Sequence, residues 1–207
     1  MDIYIADVSC FNDEKLYNGK INELSVWRKQ KIISSARKNS FLSVGAGLIF
    51  NHALKKYGID GRTAELYINF SGKPYLKNHG IYFNISHSGK YVLCAVGIEE
   101  LGADIQKTGK YDIKVVDRFF HRNERLYIAS LPNDRQAAAF FRMWALKESY
   151  IKALGKSIAG IFDSFSIKVV IASFNLLVSF LPSLIIFSAS AKLYERTSAA
   201  FRSSAKR

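Results

Sequence analysis

Ile81-Tyr-Phe-Asn-Ile-Ser-His-Ser88 is followed by Tyr91-Val-Leu-Cys-Ala-Val-Gly-Ile98 and then by Leu101-Gly-Ala-Asp-Ile-Gln106. Apolar residues recur in these stretches too densely for a helix, and their length and β-branched content suit strands. Glu99-Glu100 fits a turn, so Tyr91–Gln106 reads as a hairpin. A strand's period of two then places Asp104 and Gln106 on one side.

Around this centre the chain alternates its signals. Ile3–Val8 reads as a strand. Ser25–Tyr57 reads as helix in two pieces, the second marked by Phe41, Leu42, Leu48, Ile49 and Leu54 and stopped at Gly58. A strand near Glu65–Phe70 leads to a turn at Gly72-Lys-Pro74. Ile113–Phe120 and Arg122–Ala129 read as short helices. Gln136–Leu154 reads as a long helix opened by Pro132-Asn-Asp134, with Phe140, Trp144, Ile151 and Leu154 as its apolar stripe and Gly155 as its C-cap. The class is α+β.

Past Lys168 the texture changes. All 13 glycines lie at or before Gly160, and no charged residue stands between Lys168 and Lys192. That run is long enough to span a membrane. Asn175, Pro182 and its serines favour one or two buried strands around a Pro-Ser turn instead. Arg196–Arg207 reads as a solvated basic tail. The division expected is 1–100, 101–168, and an atypical segment 169–207, apolar and then basic.

Composition bounds the function without naming it. The 207 residues carry 30 Lys+Arg against 17 Asp+Glu, a formal charge of +13, which points to an anionic partner. Residues 169–207 hold five basic residues and one acid, which leaves +9 on residues 1–168. With 14% aromatics and three prolines the chain is not a disordered one. Cys10 and Cys94 are too few for a disulfide framework and read as small buried hydrophobes in a reducing cytoplasm. The first residues lack a basic stretch followed by an apolar one, so no signal peptide is read there.

Four stretches carry more polar chemistry than a core needs. Asn84-Ile-Ser-His-Ser-Gly-Lys90 could cradle a phosphate, or be a turn satisfied by its own backbone. Asp104 on an apolar strand calls for a cation, unless it faces water on an edge. Trp144, Glu148 and Lys152 share a helix face, which suits either a surface ion pair or a metal carboxylate beside a phosphate-binding lysine. Gly72-Lys-Pro presents Lys73 on a rigid turn.

In this order, Gly-Lys-Pro, Asn-Ile-Ser-His-Ser, Gly-Ala-Asp-Ile-Gln and Trp-Ala-Leu-Lys-Glu-Ser-Tyr-Ile-Lys resemble the 4′-phosphopantetheinyl transferases. The two-lobed surfactin-synthetase type is the nearer likeness, and it runs from the first strand to Phe162-Asp-Ser-Phe-Ser-Ile167. The resemblance implies a pseudo-duplicated α+β fold with the cofactor site between two lobes. It implies transfer of the 4′-phosphopantetheine of coenzyme A to a serine of an acyl or peptidyl carrier protein, releasing 3′,5′-ADP, with Mg²⁺ as cofactor. Asp104, Gln106 and Glu148 match the metal positions. Lys152 matches the lysine at the pyrophosphate. Ser86 and His87 match contacts to the coenzyme A phosphates, Lys73 and Pro74 the turn beside the adenine, and Arg28 and Lys31 basic cofactor contacts. Glu124, in Phe119-Phe-His-Arg-Asn-Glu124, aligns with a glutamate thought to activate the attacking serine, which makes Glu124, Glu148 and Lys152 the catalytic set.

Two departures stand out. Gln106 replaces the family's usual Glu, which predicts weaker or altered metal use. The family's Asp/Arg pattern near the start of the second helix is blurred, with Lys38 as a substitute for the arginine. After Lys168 its pattern is lost, which suggests a rearranged or frame-altered end. The carrier could serve fatty acid, polyketide or nonribosomal peptide synthesis. A cytoplasmic monomer is expected, with no nucleic-acid partner, since no such motif is present, and no membrane anchor. The alternative is a homologue that binds coenzyme A or carrier without catalysis.

Overall fold

The computed structural model describes residues 1–33, 37–156, 162–167, 180–181 and 184–190. The chain opens on strand β1 (Asp2–Asp7), a 3-10 turn at Ser9–Asn12 and helix α1 (Glu14–Ile21). Helices α2 (Val26–Ile33) and α3 (Arg37–Lys55) follow, then strands β2 (Leu66–Ile68), β3 (Pro74–Leu76), β4 (Tyr82–Ser88), β5 (Tyr91–Gly97) and β6 (Leu101–Lys107). Helices α4 (Ile113–Phe119), α5 (Arg122–Ser130) and α6 (Asn133–Ala153) come next, and strands β7 (Phe180–Leu181) and β8 (Leu184–Ser190) close the described chain. The fold is mixed α/β, and most elements match the sequence reading within a few residues. Helix α1 escaped that reading, although Asp13 caps it by accepting from the Leu16 N–H at 3.0 Å.

The expected Tyr91–Gln106 hairpin is not formed. β5 pairs antiparallel with β1 on one edge and β4 on the other, so both of its edges are taken. The hairpin is β4–β5 instead, closed by Gly89 at φ 62° and Lys90, a two-residue turn that suits a left-handed glycine. β6 belongs to a second sheet, order β6-β8-β7, in which Leu101 stands opposite Ser190 and Asp104 opposite Phe187. β2 and β3 form a separate two-stranded hairpin.

Three clusters of buried apolar side chains hold these parts. The first packs α3 against β1, β4 and β5 through Val44, Phe50, Leu54, Phe83, Val92 and Val96. The second gathers Phe120, Phe140, Met143 and Phe162 around α4, α5 and α6, with Trp144 at its margin. The third, Leu93, Ala95, Leu101, Ala103 and Ile105, lies between β5 and β6 and joins the two sheets. Cys94 is buried as expected, but Cys10 is exposed at the 3-10 turn. The reading of 169–191 is met only in part by described residues: 180–181 and 184–190 are strands, and the remainder lies outside them, as does the basic tail. Among the described residues no helix is long and apolar enough to cross a membrane.

Candidate active site

β4 and β6 belong to different sheets and are joined through side chains. Alternate residues of β4 face β6, and each satisfies an alternate backbone N–H. Asn84 Oδ1 accepts from Ala103 at 3.0 Å, Ser86 Oγ from Ile105 at 3.4 Å, and Ser88 Oγ from Lys107 at 2.9 Å. The Asn-Ile-Ser-His-Ser motif is therefore neither a bare cradle nor a self-satisfied turn. It is a strand whose polar face replaces a backbone ladder.

This stitching sets the position of Asp104, which is almost wholly buried. Ser86 Oγ donates to Asp104 Oδ1 at 2.6 Å, and Lys152 Nζ donates to the same oxygen at 2.6 Å and to Ser86 Oγ at 3.2 Å. The hydroxyl thus makes one donated and two accepted bonds, its full complement. Gln106 Nε2 donates to Asp104 Oδ2 at 2.8 Å, as the shared strand face requires. Lys152 also lies 3.7 Å from Glu148 Oε2, one helical turn back on α6. Burial lifts the Glu148 carboxyl, and the Asp104 charge adds to that, against the pull of Lys152.

These residues line a cleft of about 240 Å³ with Ile85 and His87. His87 is exposed on β4, and its imidazole is held below its ordinary pKa by partial desolvation and by the charges of Lys152 and Lys31. At neutral pH it is uncharged. Lys31 is itself lowered by burial and by Arg28. Arg28 is only 8% exposed, its side chain stacks on Trp27 at 4.8 Å, and among the described residues it has no hydrogen-bond acceptor. Burial pushes it down to about 10, still charged at neutral pH.

The donor set suits a hard divalent cation such as Mg²⁺. Asp104 and Glu148 already converge on one positive centre, the Lys152 ammonium, and both offer carboxylate oxygens. Gln106 can add only a neutral carbonyl oxygen, and its N–H now faces Asp104. Among the described residues no group of three His, Cys, Asp or Glu is placed to hold a metal.

Five residues of the expected set do not line the cleft: Arg28, Lys31, Lys73, Pro74 and Glu124. Glu124 is 2% exposed, and both its oxygens are engaged: Oε1 accepts from Lys147 Nζ at 3.1 Å and from the Ile167 N–H at 2.8 Å. Oε2 accepts from Lys147 at 2.9 Å and from the His121 N–H at 3.0 Å, closing a capping box on α5. A carboxylate so bound is not placed to take a proton from a substrate. Lys147 escaped the sequence reading, although it sits inside the quoted helix motif. It is fully buried and also donates to the Phe165 carbonyl at 2.6 Å. Lys73 is buried too, and with Pro74 it lies outside the cleft lining. A larger open hollow of about 690 Å³ near the end of α3 is lined by charges that pair internally, Lys20 with Glu23 and Arg62 with Asp60.

Comparison with known proteins identifies the family. Residues 100–181 match the model of the 4′-phosphopantetheinyl transferase superfamily. The chain is 34% identical over 146 residues to 4′-phosphopantetheinyl transferase gsp of Aneurinibacillus migulanus, which covers 70% of this chain and 61% of that protein. It is 36% identical over 126 residues to a 4′-phosphopantetheinyl transferase of Bacillus subtilis, covering 60% and 56%. It is 32% identical over 126 residues to 4′-phosphopantetheinyl transferase Sfp of Bacillus subtilis strain 168, with the same coverage. The resemblance carried by the motifs is borne out. The chain spans 56–61% of the length of these curated relatives.

Proposed function

We propose, from the membership of residues 100–181 in the 4′-phosphopantetheinyl transferase superfamily, that this chain moves the phosphopantetheine arm of coenzyme A onto a carrier-protein serine. The observation that carries this reading is the convergence of Asp104, Glu148 and Lys152 on one oxygen-lined cleft beside Ser86 and His87. In this reading residues 1–100 and 101–168 are two pseudo-duplicated lobes with the cofactor between them, and the atypical segment 169–207 supplies β7 and β8 to the sheet of β6. The separate cores around α3 and around α6, joined by the small cluster between β5 and β6, support that division.

Asp104 and Glu148 would hold Mg²⁺, with Gln106 as a weak third partner, and the metal would neutralise charge on the pyrophosphate. Lys152 pairs with the phosphate oxygens and stabilises the charge that grows on the leaving group. His87, Arg28 and Lys31 receive the remaining phosphates of coenzyme A, while the hydroxyl of Ser86, expected at those phosphates, is spent on Asp104, Lys152 and the Ile105 N–H. The serine oxygen bonds to the β-phosphorus while the bond to the bridging oxygen breaks, 3′,5′-ADP leaves with that oxygen, and the serine proton passes to solvent water. A loose phosphoryl transition state asks little of a base, so the role expected of Glu124 as proton acceptor is not needed. Glu124 instead anchors α5 and residues 162–167 to α6. The setting proposed is a cytoplasmic monomer acting on an acidic carrier, which suits the +9 of residues 1–168 better than a nucleic acid does.

Incubation with an apo carrier protein, coenzyme A and Mg²⁺ tests this by carrier mass. A gain of one phosphopantetheine, lost in Glu148→Ala, is the expected result. Coenzyme A binding with no mass gain would leave a binding homologue and refute the enzyme.

A further inference from the structure

We infer that Lys73, in the Gly-Lys-Pro turn, is a positioning residue that grips the end of α6, and that it does not hold the cofactor. The inference rests on the transferase reading above for what α6 does, and on the structure for the grip itself. An ammonium has three N–H donors, and all three of Lys73's are spent inside the protein. Its Nζ donates to Glu100 Oε2 at 2.7 Å, to the Leu101 carbonyl at 3.0 Å and to the Ala153 carbonyl at 3.3 Å. The side chain is 6% exposed and lies 5.1 Å from the Tyr75 ring centre.

The acceptors explain the choice of lysine. α6 ends in a Schellman arrangement: Gly155, at φ 60°, donates to the Lys152 carbonyl at 3.1 Å, and Lys156 donates to the Ile151 carbonyl at 3.2 Å. That closure leaves the Ala153 carbonyl without a partner in the helix, at the end where the dipole favours a cation. Lys73 fills that place. Asn69, on the same hairpin, donates to the Gly155 carbonyl at 3.0 Å while its Oδ1 accepts from the Lys73 N–H at 2.8 Å. The β2–β3 hairpin thus holds the last turn of α6 and the first carbonyl of β6 on one ammonium. Lys152, next to the gripped Ala153, and Asp104, three residues past Leu101, are the two ends of the 2.6 Å bond at the heart of the cleft.

The test compares wild type, Lys73→Met and Asn69→Ala by hydrogen exchange of the amides at 150–156 and by steady-state transfer to an apo peptidyl carrier protein. Lys73→Met should speed exchange in that turn about tenfold or more. It should lower kcat about tenfold or more while moving KM for coenzyme A less than about twofold. Asn69→Ala, which leaves the ammonium in place, should speed exchange in the same turn and answers the question if Lys73→Met does not fold. Unchanged exchange in the folded variants overturns the inference. So does a tenfold rise in KM with kcat intact, which would make Lys73 a cofactor ligand. If the wild-type chain transfers nothing, the transferase reading fails, and exchange alone decides the grip.

Discussion

Replacing Gly102 by alanine puts a methyl group into the backbone of α6. A Cβ there would overlap the Ser149 carbonyl oxygen and the Ala153 nitrogen and lie 2.8 Å from the Lys152 carbonyl carbon. None of these is a side-chain end that can turn aside. The backbone at Gly102 is one that any residue adopts, so the objection is space alone. Relief requires α6 to move off β6 by roughly 1 Å, an overpacking that costs about 3 kcal/mol, the upper part of the usual range. For a chain of this length that is a fall in Tm of roughly 6–12 °C. The same retreat separates Lys152 and Glu148 from Asp104, and a 1 Å misplacement of reacting groups costs about 10²-fold in rate. Thermal unfolding and carrier-transfer rates, measured on one preparation with and without Mg²⁺, check both numbers. A Gly102→Ala protein with Tm within about 2 °C of wild type and full turnover would show that the α6–β6 contact does not set the site.

The remaining predictions concern charge. Glu124→Gln leaves the Lys147 ammonium buried without the carboxylate it bonds, facing only neutral carbonyl oxygens, and should cost about 3–5 kcal/mol in urea unfolding; Glu124→Met with Lys147→Met should recover most of that, and a loss under about 1 kcal/mol for the single variant would refute the pairing. Because His87 is held below its ordinary pKa in the free protein, an arriving phosphate raises it, so coenzyme A affinity should climb as pH falls through the raised bound-state value and level off below the free-state one. Calorimetry on His87→Gln should lose that slope, and an unchanged slope assigns it to another group. Gln106→Glu gives up the bond to Asp104 Oδ2 and adds a third carboxylate. It should lower Tm without Mg²⁺ and tighten Mg²⁺ binding about tenfold in a titration, and equal Mg²⁺ affinity would mean that position 106 does not meet the metal.

Local periodicity made much of the site legible. The period of two along Leu101–Gln106 placed Asp104 and Gln106 together, and the structure joins them at 2.8 Å. The helical spacing of Glu148 and Lys152 was equally direct. What could not be read was decided by distant parts of the chain. The β5–β6 hairpin was plausible from the Glu99-Glu100 turn, but β1, some ninety residues earlier, takes the edge that β6 would have used. The Gly89-Lys90 turn was the better hairpin signal, since a two-residue turn with a left-handed glycine fits the twist of the flanking strands. Lys73 read as a lysine on an exposed turn because the carbonyl that buries it lies 80 residues away. Lys147 read as one more polar residue of a helix, because its partner Glu124 stands on another.

The distribution of satisfied and unsatisfied groups carries the functional argument a step further than the motifs do. Ser86 has every hydrogen-bonding position filled, Asp104 has both oxygens engaged, and Gln106 and Lys152 are committed to it. Such a network fixes the carboxylate before any ligand arrives, and fixed dipoles need no reorganisation during reaction. Arg28 is the contrast. It is about as buried as Ser86, yet among the described residues no acceptor meets its guanidinium. Keeping a charge desolvated and unpaired costs stability unless something compensates. Its neighbour Lys31 is lowered by burial and by the Arg28 charge, so two cations share this part of the fold. An anion bound beside Arg28 would remove that cost. Under the proposed transferase reading the carboxylates would meet the cation and the arginine a phosphate, the division of charge that coenzyme A with Mg²⁺ presents.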